Sequence, residues 1–147
     1  MIVVGIDPGQ SGAVAVLDGD VVAVHDMPLT DHVRRKRVDA AALAALLREV
    51  RPDLVVVEEV HGRPGNGAAA TFTFGMGFGA VLAVLELGGH PFQLVTPQRW
   101  KADVLAGTAK DKAAAVAWAQ ARFPRLGKLR HDRAEALCLA WWGRTKA

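Results

Sequence analysis

The feature that leaves this chain the fewest ways to fold is its opening apolar run, Ile2, Val3, Val4, Gly5 and Ile6, which stops on an acid, Asp7. A run without polar alternation reads as a strand buried on both faces. Pro8 and Gly9 turn the chain, and apolar residues resume at Ala13, Val14, Ala15, Val16 and Leu17. Residues 7–12 are therefore expected at the tip of a hairpin between two central strands. A carboxylate at the end of a buried strand is costly unless a cation or a set of donors faces it, because desolvation disfavours its charged form. Such an acid-and-glycine turn holds a divalent metal, approaches a phosphate through backbone amides, or is a plain turn aspartate.

At 147 residues and 51% hydrophobic content the chain is the size of one domain, and 1–147 is read as a single unit able to bury its own core. The one cysteine, Cys138, lies in the apolar run 136–142 and reads as a small buried hydrophobe, which fits a reducing compartment. No leader pattern opens the chain, and the longest apolar stretch, 75–87, is short and glycine-rich for a bilayer span, so no membrane association is expected. The net charge of +3 permits a polyanionic partner without requiring one. Its distribution is more telling: Arg34, Arg35, Lys36 and Arg37 form one basic run, and Arg122, Arg125, Lys128, Arg130 and Arg133 a second.

In chain order, Asp18, Gly19 and Asp20 turn the second strand into a third at 21–25, completing an antiparallel meander, and the basic run 34–37 follows in a loop. Residues 39–50 place Leu43, Leu46 and Leu47 on one helical face. The strand at 53–60 has the apolar run of a buried parallel strand and ends on Glu58 and Glu59. A loop at 61–70 leads to an apolar helix at 71–87. Gly75 and Gly79 in that helix suit a close backbone approach, either by its own sheet or by a second subunit. A last strand is expected at 91–95. Three helices follow: 98–105 capped by Thr96, a helix starting at Thr108 and stopped by Pro124, and 132–143. The fold class is α/β: a mixed five-stranded sheet, three antiparallel strands then two parallel, flanked by helices.

Three segments of this small core expose acids at an edge. Asp7 and Glu58 each end an apolar strand, and Asp132 and Glu135, three apart, share one face at the start of an apolar helix. The helix dipole alone would favour the last two. Taken together, four carboxylates suit magnesium, which takes hard oxygen ligands. Two such ions about 3.5–4 Å apart can share carboxylates and clamp both oxygens of a phosphodiester displacement.

The runs GIDPGQSGAVAV at 5–16, LVVVEEV at 54–60 and HDRAEALCLA at 131–140 together resemble the RuvC family of Holliday junction resolvases, particularly its phage-type members, within the RNase H-like superfamily. The resemblance runs in order over nearly the whole chain. It implies that Asp7, Glu58, Asp132 and Glu135 are metal-binding catalytic acids, with Glu59 a supporting neighbour. Lys101 and Lys112 would touch the phosphates at the cut or stabilise transition-state charge; ordinary helix-surface charge is the other reading. His131 either orients a ligand or caps its helix. The chain departs from the family in carrying Glu135 where many relatives have aspartate. It also has His61 where bacterial relatives carry a phenylalanine that stacks into the junction, so Phe72 or Phe74 is a candidate for that stacking.

The function so implied is metal-dependent nicking of symmetric strands near the branch point of a four-way junction, leaving 5′-phosphate ends. Two Mg2+ ions per site are expected, with Mn2+ able to substitute, and no nucleotide cofactor. The expected DNA contacts are Arg34, Arg35, Arg37, His61, Arg63, Phe72, Phe74, Lys101, Lys112 and Arg130. The expected assembly is a homodimer, and the expected location cytoplasmic, in a bacterial or phage-encoded setting. A broader nuclease for flaps, forks or hybrids, or a junction-binding module, are the alternatives. An actin-like or sugar-kinase-like phosphate-binding domain also uses an acid-glycine hairpin, but needs a second nucleotide-binding half.

Overall fold

The computed structural model describes residues 1–62 and 64–146. In chain order it contains β1 (Ile2–Asp7), β2 (Ala13–Asp18), β3 (Val21–Asp26), β4 (Leu29–His32), β5 (Arg35–Val38) and α1 (Ala40–Val50). There follow β6 (Leu54–Glu58), α2 (Ala68–Leu87), β7 (Phe92–Val95), α3 (Pro97–Val104), α4 (Lys112–Arg122), a 3₁₀ turn at Pro124–Leu126, and α5 (His131–Lys146). The main sheet has the order β3-β2-β1-β6-β7. β1, β2 and β3 are antiparallel neighbours, while β6 and β7 run parallel to β1. The expected five-stranded mixed sheet is therefore the observed one, with β1 at its middle.

The unbroken apolar runs are explained by a layer on each face. Val3 and Val56 pack with α5 in one core, while Val4, Ile6, Val55 and Val57 pack with α1 and α2 in the other. Neighbouring residues of a strand point to opposite faces, so both faces must be apolar. Gly5 decides how closely α5 lies. A Cβ there would sit 2.1 Å from the Ala136 carbonyl oxygen and 2.4 Å from the Ala140 nitrogen. Helix backbone therefore rests directly on strand backbone.

The structure corrects several boundaries. The basic run is not a loop: residues 35–38 form β5, which pairs with β4 as a separate two-stranded ribbon. The ribbon carries charge rather than apolar alternation, so periodicity alone hides it. α2 begins at Ala68, and at 20 residues with mean hydropathy 1.8 it is long and apolar enough to cross a bilayer by length and composition. Its Gly77, Val81, Val84 and Leu85 are buried against the rest of the domain, and 22% of its apolar window is buried. α4 is capped by Asp111, which accepts from the Ala114 N–H, and not by Thr108. The Thr108 hydroxyl closes the preceding turn by donating to the Leu105 carbonyl.

Candidate active site

Strand and helix geometry bring the acids together. In the parallel pairing, Gly5 lies beside Val56 and Ile6 beside Val57. The next residues, Asp7 and Glu58, therefore leave the sheet side by side at the carboxyl ends of adjacent strands. α5 crosses the same face antiparallel to β1, with Ala136 and Ala140 over Gly5 and Gly143 against Val3 and Val56. Two strand residues beyond Gly5 advance about 7 Å. About four and a half helical residues toward the N-terminus of α5 cover the same distance. That step reaches Asp132 and Glu135. The close approach allowed by Gly5 thus sets the register of the acids on α5 against Asp7.

The turn after Asp7 needs its glycines. Gly9 has φ +128°, and a Cβ on Gly12 would strike the Asp7 carbonyl oxygen at 1.9 Å. Asp7, Glu58 and Glu135 are the buried charged residues among the described ones. Together with Asp132, Lys101 and Lys112 they line a cleft of about 640 Å³, and His61, His131 and Phe74 also face it.

Charge in the cleft is unbalanced. Burial, first, and then repulsion from Glu58, Glu135 and Asp132 push the Asp7 carboxyl up to about 8, against a partial offset from Lys101. Lys101 Nζ lies 3.7 Å from Glu135 Oε1 and 5.2 Å from the centre of the Trp100 ring. The Trp100 indole N–H, itself fully buried, donates to Glu58 Oε1 at 3.4 Å. His131 Nε2 sits 3.0 Å from Asp132 Oδ1, and His61 Nε2 3.6 Å from Glu59 Oε1. Cys138, one helical turn from Glu135, is buried, and burial raises its thiol beyond any role as a nucleophile at neutral pH.

The donor chemistry suits a hard divalent cation: five carboxylates, Asp7, Glu58, Glu59, Asp132 and Glu135, with no thiolate among the cleft residues. Among the described residues, no three His, Cys, Asp or Glu side chains are grouped closely enough to hold a metal ion. The acids instead line an open wall whose like charges a cation would relieve.

Of the residues singled out from sequence, the four acids, both lysines, His61 and Phe74 meet at the cleft. Phe72 is solvent-exposed on α2. Arg130 pairs with Asp26 at 3.2 Å, where Arg133 also binds at 2.9 Å. Arg34, Arg35 and Arg37 lie on the β4–β5 ribbon, and Arg63 falls outside the described residues. Sequence reasoning missed Trp100. Its only signal was a large aromatic beside Lys101 in a short polar helix, and its partner is 42 residues away.

A mixed sheet whose central strands end in acids, crossed by a helix carrying more, is the layout of the RNase H-like fold, here with an acidic cleft. No family model matches the chain. It is similar to the chloroplastic Holliday junction resolvase MOC1 of Chlamydomonas reinhardtii, 33% identical over 150 aligned positions that cover 82% of this chain. The chain spans only 17% of that relative's length. Among solved structures, it superposes on Thermus thermophilus RuvC in complex with a Holliday junction with TM-score 0.68 and 19% identity, covering 99% of this chain and 97% of that one. Another structure of T. thermophilus RuvC gives TM-score 0.63 and 21% identity over 97% and 92%. The fowlpox virus resolvase in complex with junction DNA gives 0.56 and 10% over 99% of both chains. The chain has the RuvC form of the RNase H-like fold, as the three sequence runs led one to expect.

Proposed function

We propose that the chain is a structure-selective endodeoxyribonuclease that resolves four-way DNA junctions. One observation carries this reading: Asp7, Glu58, Asp132 and Glu135, from three separate segments, line one cleft beside Lys101 and Lys112. The names of the similar proteins support the substrate, since MOC1 is described as a Holliday junction resolvase.

In this reading the four carboxylates hold two Mg2+ ions, with Mn2+ able to substitute. When bound, the pair would supply Lewis-acid chemistry for the attack of water on phosphorus and the departure of the 3′ oxygen, which leaves a 5′-phosphate at the nick. The protein's own part is positional. The Trp100 indole holds Glu58 in place, and the ion pair to Lys101 holds Glu135. Lys101, at the cleft wall, contacts a non-bridging phosphate oxygen once substrate displaces part of its pairing, and Lys112, exposed at the start of α4, contacts a flanking phosphate. Phe74, whose ring lies against Gly9, offers a stacking surface for a base opened near the branch.

The chain acts as a homodimer. Gly75 and Gly79 of α2 face open space, so a Cβ there would meet nothing, whereas Gly77 on the inner side abuts Val38 and Gly9. Glycines that cost helix stability without serving the domain's own packing suit the close approach of a second copy. Exposed Phe72 and Leu87 lie on the same helix. Two-fold symmetry then matches that of the junction. The chain works in an intracellular compartment that carries DNA, as the chloroplastic relative does.

The test is cleavage of a labelled immobile junction beside a linear duplex of the same arms, with Mg2+ and with EDTA. Metal-dependent paired nicks near the branch, on the junction alone, are expected. Equal cutting of both substrates would replace this reading with a general nuclease, and tight binding without cutting under Mg2+ or Mn2+ with a junction-binding module.

A further inference from the structure

The β4–β5 ribbon has a turn that the domain does not explain. Its pairs are Leu29 with Val38, Thr30 with Arg37, Asp31 with Lys36 and His32 with Arg35, leaving Val33 and Arg34 as a two-residue loop. Val33 has φ +55° while Arg34 is not among the positive-φ residues. That pattern, positive φ at the first loop position only, belongs to the turn type that takes glycine there. A β-branched residue in this region is strained. Val33 is also 91% exposed, so no packing inside the domain compensates it.

The base of the ribbon is firmly held. Val38 at the base is buried near Gly77 and the Asp39 N–H donates to the Pro28 carbonyl, while Arg35, in the pair next to the turn, donates to the Thr73 hydroxyl on α2. The Gln10 side-chain amide donates to the Lys36 carbonyl, tying the ribbon to the turn that follows Asp7. Gln10 and Thr73 both line a cavity of about 420 Å³ that reaches Asp7, Phe74 and Asp132. The ribbon therefore stands at the rim of the acidic cleft, and its four pairs extend roughly 14 Å. Its charge is one-sided: His32, Arg34, Arg35, Lys36 and Arg37 against Asp31, whose charge is taken by Lys36 at 2.6 Å. Arg34 and Arg37 make no ion pair among the described residues.

We propose that this ribbon is a DNA-probing element, with Val33 as an apolar wedge that enters an opened base step at the branch point. A two-stranded ribbon fits a DNA groove. Its arginines meet the phosphates, and apolar side chains inserted between base steps are a known way to stabilise unstacked DNA. The branch point is where that insertion costs least, because base pairs there lack a continuous stack. This inference rests on the junction reading above and adds a residue that selects branched over continuous DNA.

The experiment places 2-aminopurine beside the branch of an immobile junction and follows its fluorescence with Asp7→Asn protein, which can bind without cutting. Val33→Gly relaxes the turn and removes the side chain; Val33→Asn keeps a residue that tolerates the left-handed backbone and removes the apolar surface. In the Asp7→Asn background both should lower the fluorescence rise at the branch at least twofold and the preference for junction over duplex several-fold. Duplex affinity should stay within about twofold, and the melting temperature of the Val33→Gly protein should be equal or higher. An unchanged branch signal in both variants overturns the wedge. Equal loss on junction and duplex also overturns it, assigning the ribbon to general phosphate contact. If the Asp7→Asn protein with Val33 intact shows no preference for the junction, the junction reading itself fails and the wedge falls with it.

Discussion

Replacing Asp7 with Asn should make the metal-free protein more stable while abolishing cleavage. In the native state the Asp7 carboxyl holds its proton up to about pH 8, against an ordinary value of 3.8. Between those values the folded state binds more protons than the unfolded chain, so the contribution of the Asp7 proton to stability falls as pH rises through the window and is gone above about pH 8. Each unit is worth about 1.36 kcal/mol, so the roughly three units crossed by pH 7 amount to about 4 kcal/mol. Asn has nearly the same shape and carries no charge to repel Glu58, Glu135 and Asp132. The Asp7→Asn protein should therefore melt about 10 °C above wild type at pH 8 in EDTA, taking roughly 2–4 °C per kcal/mol for a domain of this size. At pH 4 the two should melt together. Saturating Mg2+ should narrow the gap at pH 8 by raising the wild-type curve. Calorimetric melts across pH 4–9 read all of this. Parallel stability curves, or an Asp7→Asn protein no more stable than wild type at pH 8, would refute the account of the cleft as a site of unrelieved negative charge.

The remaining predictions concern single contacts. Gly5→Ala should unfold the domain or cost more than about 3 kcal/mol in denaturant titration, because its methyl group meets α5 backbone rather than a mobile side chain. Lys101→Met should cut cleavage roughly 10- to 100-fold with junction affinity held within a few-fold, and should move the rising limb of the pH–rate profile to higher pH, since Lys101 opposes the rise in the Asp7 value. Trp100→Phe keeps most of the packing and removes the N–H to Glu58; calorimetric Mg2+ titration should show several-fold weaker binding, with about 1–3 kcal/mol of stability lost. Gly79→Leu should leave the domain folded, because a side chain there enters open space, yet turn the proposed dimer into a monomer in sedimentation. A Gly79→Leu dimer of unchanged strength would remove α2 from the interface.

Much of the fold was legible because local chemistry and tertiary packing agree. The opening run, its acid and the Gly9 to Gly12 turn specify a central hairpin on steric grounds, since only glycine adopts φ +128° and only glycine fits beside the Asp7 carbonyl. Asp39 and Thr96 mark helix starts because their side chains accept from the Ala42 and Arg99 N–H groups three residues on. The four acids stood out because Asp7 and Glu58 each end an apolar strand and Asp132 and Glu135 open an apolar helix, where an unpaired charge is costly. What the sequence could not reveal depends on distant partners. The β4–β5 ribbon has no hydrophobic period, and its place is set by Gln10, Thr73 and Gly77 on other elements. The bond from Trp100 to Glu58 joins residues whose separation carries no local signal. Residue identity along the chain determined that there would be acids at strand ends and a helix start. That they share one cleft, and that Asp7 holds its proton there, was decided by α5 lying on the backbone at Gly5, because distances between non-local groups exist only once the layers are packed.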